Sequence, residues 1–90
     1  MLSFSEIQER VVKILAVISG IPAEEIGVDS TFEDLDLDSL ARIEMLVELE
    51  REFEIETPED QDDEEILKQI QSIEDAAKLV EKTLSARDAN

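Results

Sequence analysis

Wherever apolar residues recur regularly in this sequence they do so every three or four positions, and nowhere do they alternate with polar residues for the length of a strand. A sheet with one solvated face needs that alternation, so the chain is expected to fold as helices packed on one another. Placed at 100° per residue, Phe4, Ile7, Val11, Ile14, Leu15 and Ile18 fall within about 100° of arc, the stripe of a helix resting on one core. Ser3-Phe4-Ser5-Glu6 fits a capping box at its start, and Gly20 supplies the left-handed residue that stops it. Residues 21 to 37 hold Pro22, Gly27 and scattered apolar residues without a period, and read as a long loop with one turn at Pro22 to Ile26.

Asp38 is a good N-cap for a second helix running from Ser39 to about Phe53 with no glycine or proline inside it. Thr57-Pro58 resembles a cap with a first-turn proline, and the following acidic run leads to Ile66, Leu67 and Ile70, a short third helix. Ser72-Ile73-Glu74-Asp75 opens a last helix whose face is Ile73, Ala76, Ala77, Val80 and Leu84, with residues 86 to 90 expected to fray. The expected fold is all-α: a small four-helix bundle of three main helices and one short one, with a long first loop, in a single domain over residues 1–90.

Composition decides which functions such a bundle can host. Ninety residues support one core and leave no room for a deep enclosed cleft beside it. With no cysteine and no histidine there is neither a disulfide framework, a thiolate zinc site nor an imidazole for acid-base work, so a catalytic role is not expected. A formal charge of -17 repels nucleic acid and anionic membrane surfaces. The longest unbroken apolar run, Ile14 to Ile18, is five residues, against the roughly 20 needed to span a bilayer. Glu6 and Glu9 stand where a targeting peptide would be basic, so the chain is expected to work in the cytoplasm, as a monomer.

The charge is segregated. Residues 24 to 65 carry nineteen acids against two bases, Arg42 and Arg51, whereas the flanking segments are each balanced. Acidity of this kind ordinarily marks a solvated face. The second helix adds a further clue: Met45, Leu46, Leu49 and Phe53 occupy one flank, while Leu40, Ile43 and Val47 continue the apolar arc around the helix, with Glu44 and Glu48 at its edge. An arc that wide implies either a deeply buried helix or a second surface, apolar and edged with carboxylates, suited to a basic partner. Ser39 stands directly after the cap, at the end of the loop, where its hydroxyl should be exposed. No histidine or lysine lies beside it in sequence to activate it as a nucleophile, so it is better placed to be modified than to catalyse. A phosphodiester there would meet the free amides of a helix start, although Asp36 and Asp38 oppose it.

Asp38-Ser39-Leu40, preceded by Phe32 and Leu35 and followed by a helix ending in Glu50, Phe53 and Ile55, resembles the acyl carrier protein family, and the resemblance spans nearly the whole chain. It implies that a phosphopantetheinyl transferase esterifies Ser39 with 4'-phosphopantetheine from coenzyme A, and that the arm's thiol carries acyl groups as thioesters in fatty-acid or polyketide biosynthesis. It further implies that Asp38 aids recognition and that Leu40, Ile43, Glu44, Val47 and Glu48 form the docking face for basic-surfaced acyl synthases, transferases and reductases. Three features depart from the family pattern: Asp36 stands where glycine is expected, Arg51 where an acid is common, and residues 58 to 73 form a longer segment than usual. These departures favour a specialised carrier. An acidic helical adaptor without a covalent cofactor is one alternative. A calcium-binding module is another, because Asp34, Asp36 and Asp38 take the first, third and fifth places of a calcium loop. That loop then lacks its glycine at Ser39 and its final glutamate at Met45, so no metal site is expected.

Overall fold

A computed structural model describes residues 2–56 and 61–88. Four helices and no strand are present among them: α1 (Phe4–Ser19), α2 (Ser39–Phe53), α3 (Asp63–Gln69) and α4 (Ile73–Asp88), with a single 3-10 turn at Ala23–Glu25. α1 packs chiefly on α4 and α2, and α2 also touches α3 and α4, which makes the expected all-α bundle.

The ends of α1 follow from the local sequence. Ser3 Oγ accepts the Glu6 amide at 3.1 Å and the Glu6 carboxylate reaches back to the Ser3 amide, closing the capping box. At the other end Gly20 adopts φ 79° and donates its amide to the Ala16 carbonyl. Of the apolar stripe, Ile7, Val11 and Leu15 are fully buried, whereas Phe4, Ile14 and Ile18 pack against the core from its edge.

The long first loop is anchored rather than loose. Ile26, Phe32, Leu35 and Leu37 are buried, so the apolar residues that show no period in sequence are the pegs that seat the loop on the bundle. Thr31 forms an isolated antiparallel bridge with Ser72, through Phe32 N–H to the Gln71 carbonyl at 2.9 Å and Ile73 N–H to the Ser30 carbonyl at 3.1 Å. Those two bonds tie the loop leading into α2 to the start of α4.

Two expectations need correction. The described part of the third helix begins at Asp63, with Asp62 as its N-cap accepting the Glu65 amide at 2.9 Å; Thr57 and Pro58, the cap expected from sequence, lie outside the described residues. Asp63, Glu64 and Glu65 fill the first turn of α3, where carboxylates meet the positive end of the helix dipole. The second concerns the tail expected to fray from residue 86: α4 continues to Asp88. Arg87 holds it down, donating to the carbonyls of Phe53 at 3.3 Å and Glu54 at 2.8 Å, the orphan acceptors at the C-terminal end of α2.

Candidate functional site

The site is the junction of the long loop with α2. Asp38 is its N-cap, with Oδ1 accepting the Ala41 amide at 2.8 Å and its carbonyl accepting the Arg42 amide at 3.0 Å. Ser39 is therefore the first residue of the helix; it is exposed, and among the described residues its hydroxyl has no hydrogen-bond partner. The first-turn amides of Ser39 and Leu40 have no intrahelical acceptor, so the helix start presents donors and its dipole to whatever is attached at that hydroxyl.

The loop before Ser39 is held in one shape. Leu35 N–H donates to the Thr31 carbonyl at 3.2 Å, Asp36 N–H to Glu33 at 3.0 Å and Leu37 N–H to Phe32 at 3.0 Å, while Asp34 Oδ2 and Thr31 Oγ1 exchange hydrogen bonds with each other's backbone amides. Asp36 has φ 56°, a left-handed conformation that glycine adopts freely and that costs most other residues energy. The departure from the family's glycine leaves the turn in the shape glycine favours and stores a small strain three residues before Ser39.

Arg42, one of the two bases in the acidic segment, secures the same loop from the other side. Its Nε donates to the Leu37 carbonyl at 3.1 Å, and its guanidinium carbon lies 5.8 Å from the centre of the buried Phe32 ring. A basic residue three positions after a loop-terminal serine, in a segment otherwise almost wholly acidic, was the available signal.

The wide apolar arc of α2 is divided between two environments. Met45, Leu46, Leu49 and Phe53 are buried, whereas Leu40 is 64% and Val47 38% exposed, Ile43 and Glu48 are half-buried and Glu44 is exposed. The arc is thus wide because it serves a second surface, and deep burial of the whole helix is excluded. Ile43, Glu44, Val47 and Glu48 form one wall of an open groove of about 950 Å³ whose other wall is Arg10, Lys13, Ile14, Val17 and Ile18 of α1. Arg10 pairs with Glu52 across it at 3.1 Å, and Arg51 pairs with Glu48 at 3.3 Å. The α1 wall went unread in the sequence, although Val17, an apolar residue off the core stripe, pointed to it; it is 85% exposed.

Asp34 and Asp38 use their carboxylates in loop and cap hydrogen bonds. Among the described residues no group of three or more acidic side chains is gathered as a metal would require. No helix among them is long and apolar enough to cross a membrane.

A small helical bundle with a bare hydroxyl at a helix start is the kind of domain to which an arm can be attached, and residues 9–80 match the family described as phosphopantetheine attachment site. An acyl carrier protein of Rickettsia bellii (strain RML369-C) is 43% identical over 56 residues, covering 61% of this chain and 65% of that protein. The acyl carrier protein of Thermobifida fusca (strain YX) is 33% identical over 81 residues, covering 89% of this chain and 96% of that protein. The chain belongs to the acyl carrier protein family, non-catalytic carriers built around a covalent 4'-phosphopantetheine.

Proposed function

We propose that Ser39 is the residue that bears the 4'-phosphopantetheine arm and that the protein shuttles acyl groups between separate biosynthetic enzymes. The observation that carries this reading is the exposed, unengaged hydroxyl at the first position of α2. The residues there fit the group: the amides of Ser39 and Leu40 offer donors to a phosphodiester, and Asp38 is already committed to capping, which turns its carboxylate toward Ala41. Attachment forms a bond from Ser39 Oγ to the phosphorus of the pantetheine phosphate; the pyrophosphate bond of coenzyme A breaks, adenosine 3',5'-bisphosphate leaves, and the hydroxyl proton passes to the transferase. The arm supplies a terminal thiol, which this cysteine-free chain lacks, and so the means of holding acyl groups as thioesters.

The chain's own residues do the rest. Arg42 and the hydrogen bonds over residues 31 to 37 keep the attachment point rigid relative to α2, so an enzyme that grips α2 finds the arm in a fixed place. Leu40, Ile43, Glu44, Val47 and Glu48 form the docking face, apolar at its centre and acidic at its edge, for basic-surfaced synthases, transferases and reductases. Attraction by the surrounding negative charge raises the rate at which such partners arrive. The pathway is fatty-acid or polyketide biosynthesis, and the compartment the cytoplasm.

Intact-mass measurement after incubation with coenzyme A and a broad-specificity phosphopantetheinyl transferase tests the attachment. One phosphopantetheine adduct on the parent and none on Ser39→Ala is expected. An adduct on both, or on neither, overturns the assignment.

A further inference from the structure

The α1 wall of the surface groove carries the opposite charge to most of the molecule. Arg10 and Lys13 stand on it, across an apolar strip of Val17, Ile43 and Val47 from the carboxylates of α2. Most of the charges at the groove are already matched within the chain: Arg10 with Glu52 at 3.1 Å and Arg51 with Glu48 at 3.3 Å. Lys13 and Glu44 are the exceptions. Both are exposed, and neither has an ion pair among the described residues.

Their relative placement follows from the direction of the helices. With Arg10 against Glu52, a parallel α1 would run past the end of α2, so only antiparallel helices let residues 10 to 18 and 43 to 52 line one groove. Counted from that pair, Lys13 comes level with about residue 49 and Val17 with about residue 45. Lys13 and Glu44 therefore face the groove from opposite walls, about 7 Å apart along its length. The groove itself runs about 13 Å from Ile43 to Glu52, between two and three turns of a helix. α4 packs against both α1 and α2 but lines none of the groove, which is the open side of the same helix pair and can take another helix.

We propose that α1 forms the second half of the docking surface, and that the groove receives an amphipathic helix of a partner enzyme which brings a base to Glu44 and an acid to Lys13. The proposal rests on the docking face assigned to α2. Two positions five apart on a helix differ by about 7.5 Å in height and about 140° in direction, so a base and an acid at that spacing flank an apolar stripe and meet both groups. The stripe covers Val17 and Val47, which stand 85% and 38% exposed. A wholly basic helix gains Glu44 but sets a like charge against Lys13, and a wholly acidic one meets a protein of charge -17. Lys13 thus selects, among basic-surfaced partners, those whose docking helix also carries an acid.

Two 15-residue helical peptides of identical composition serve as probes in amide NMR titrations. Both carry one leucine stripe and an arginine on one flank; the first has its glutamate five positions from that arginine on the other flank, and in the second this glutamate is exchanged with an arginine from the back of the helix. The first is expected to shift Lys13, Val17, Ile43 and Val47 and to bind several-fold more tightly than the second. Lys13→Glu, at an exposed position, is expected to reverse the order, whereas Lys82→Glu, the same charge change on α4 outside the groove, is expected to leave it. Equal binding of the two peptides, or shifts at Ile43 and Val47 without any at Lys13 and Val17, overturns the proposal and leaves the α2 face intact. Shifts at Val17 that grow with protein concentration before peptide is added would seat a second copy there and also overturn it. Absence of shifts at Ile43 and Val47 with either peptide overturns the docking face itself.

Discussion

Replacing Asp36 by glycine isolates the strain stored in the turn that delivers Ser39. At φ 56° a residue with a Cβ pays about 1–2 kcal/mol relative to right-handed conformations, and aspartate falls at the low end because it visits this region more readily than branched residues do. Glycine removes that cost but returns roughly 0.4–1 kcal/mol through the greater freedom of its unfolded chain. Asp36 is exposed and its carboxylate has no hydrogen bond among the described residues, so the substitution breaks no contact. It also removes one negative charge from a stretch holding Glu33, Asp34 and Asp38, which adds a few tenths of a kcal/mol. The net gain is expected to be about 0.5 kcal/mol, or roughly 2–4 °C in melting temperature for a domain of this size. Thermal melts of Asp36→Gly, Asp36→Asn and Asp36→Ala separate the two contributions. In about 0.5 M sodium chloride, where the screening length falls to on the order of 4 Å, the electrostatic part fades and the conformational part persists. Glycine is then expected to be the most stable, asparagine close to the parent, and alanine about 1 kcal/mol below the parent. If alanine matches glycine under those conditions, backbone strain at this position is not what the substitution relieves.

Arg42→Ala removes the bond to the Leu37 carbonyl and the contact with the Phe32 ring, and is expected to cost about 2 kcal/mol in urea denaturation and to speed hydrogen exchange at Leu35 and Leu37; unchanged exchange there would show that Arg42 does not hold the loop. The concentration of nineteen acids in residues 24 to 65 leads us to expect a melting temperature that rises with added magnesium or sodium chloride, read by calorimetry, and a flat response would contradict self-repulsion as a destabilising force.

The elements whose signals are local were legible in the sequence. The ends of α1 lie in a capping box and a glycine, and the start of α2 in Asp38, so both are set by residues within a few positions of the boundary. The position of Ser39 at the start of α2 was legible for the same reason, whereas the wide apolar arc of α2 left deep burial and a second surface both open until the exposure of Leu40 and Val47 decided between them. What the sequence hid depends on distant partners. The seating of Phe32, Leu35 and Leu37 has no period because they are buried from an irregular loop and not from one face of a helix. The bridge from Thr31 to Ser72 joins residues far apart in the chain. Arg87 looks like part of a frayed end until the carbonyls at the end of α2 are brought beside it. Half of the groove was hidden likewise, because Lys13 and Val17 gain meaning only when α1 is laid against α2.

Localising a transferred acyl group tests the central assignment most directly. The protein would be incubated with octanoyl-coenzyme A and a phosphopantetheinyl transferase, treated with hydroxylamine in half the sample, and digested for fragment-ion mass spectrometry. The expected result is a single phosphodiester at Ser39, carrying an octanoyl group that hydroxylamine removes while the arm stays in place. An adduct at Ser30 or Ser72, or an acyl group that resists hydroxylamine, would contradict it.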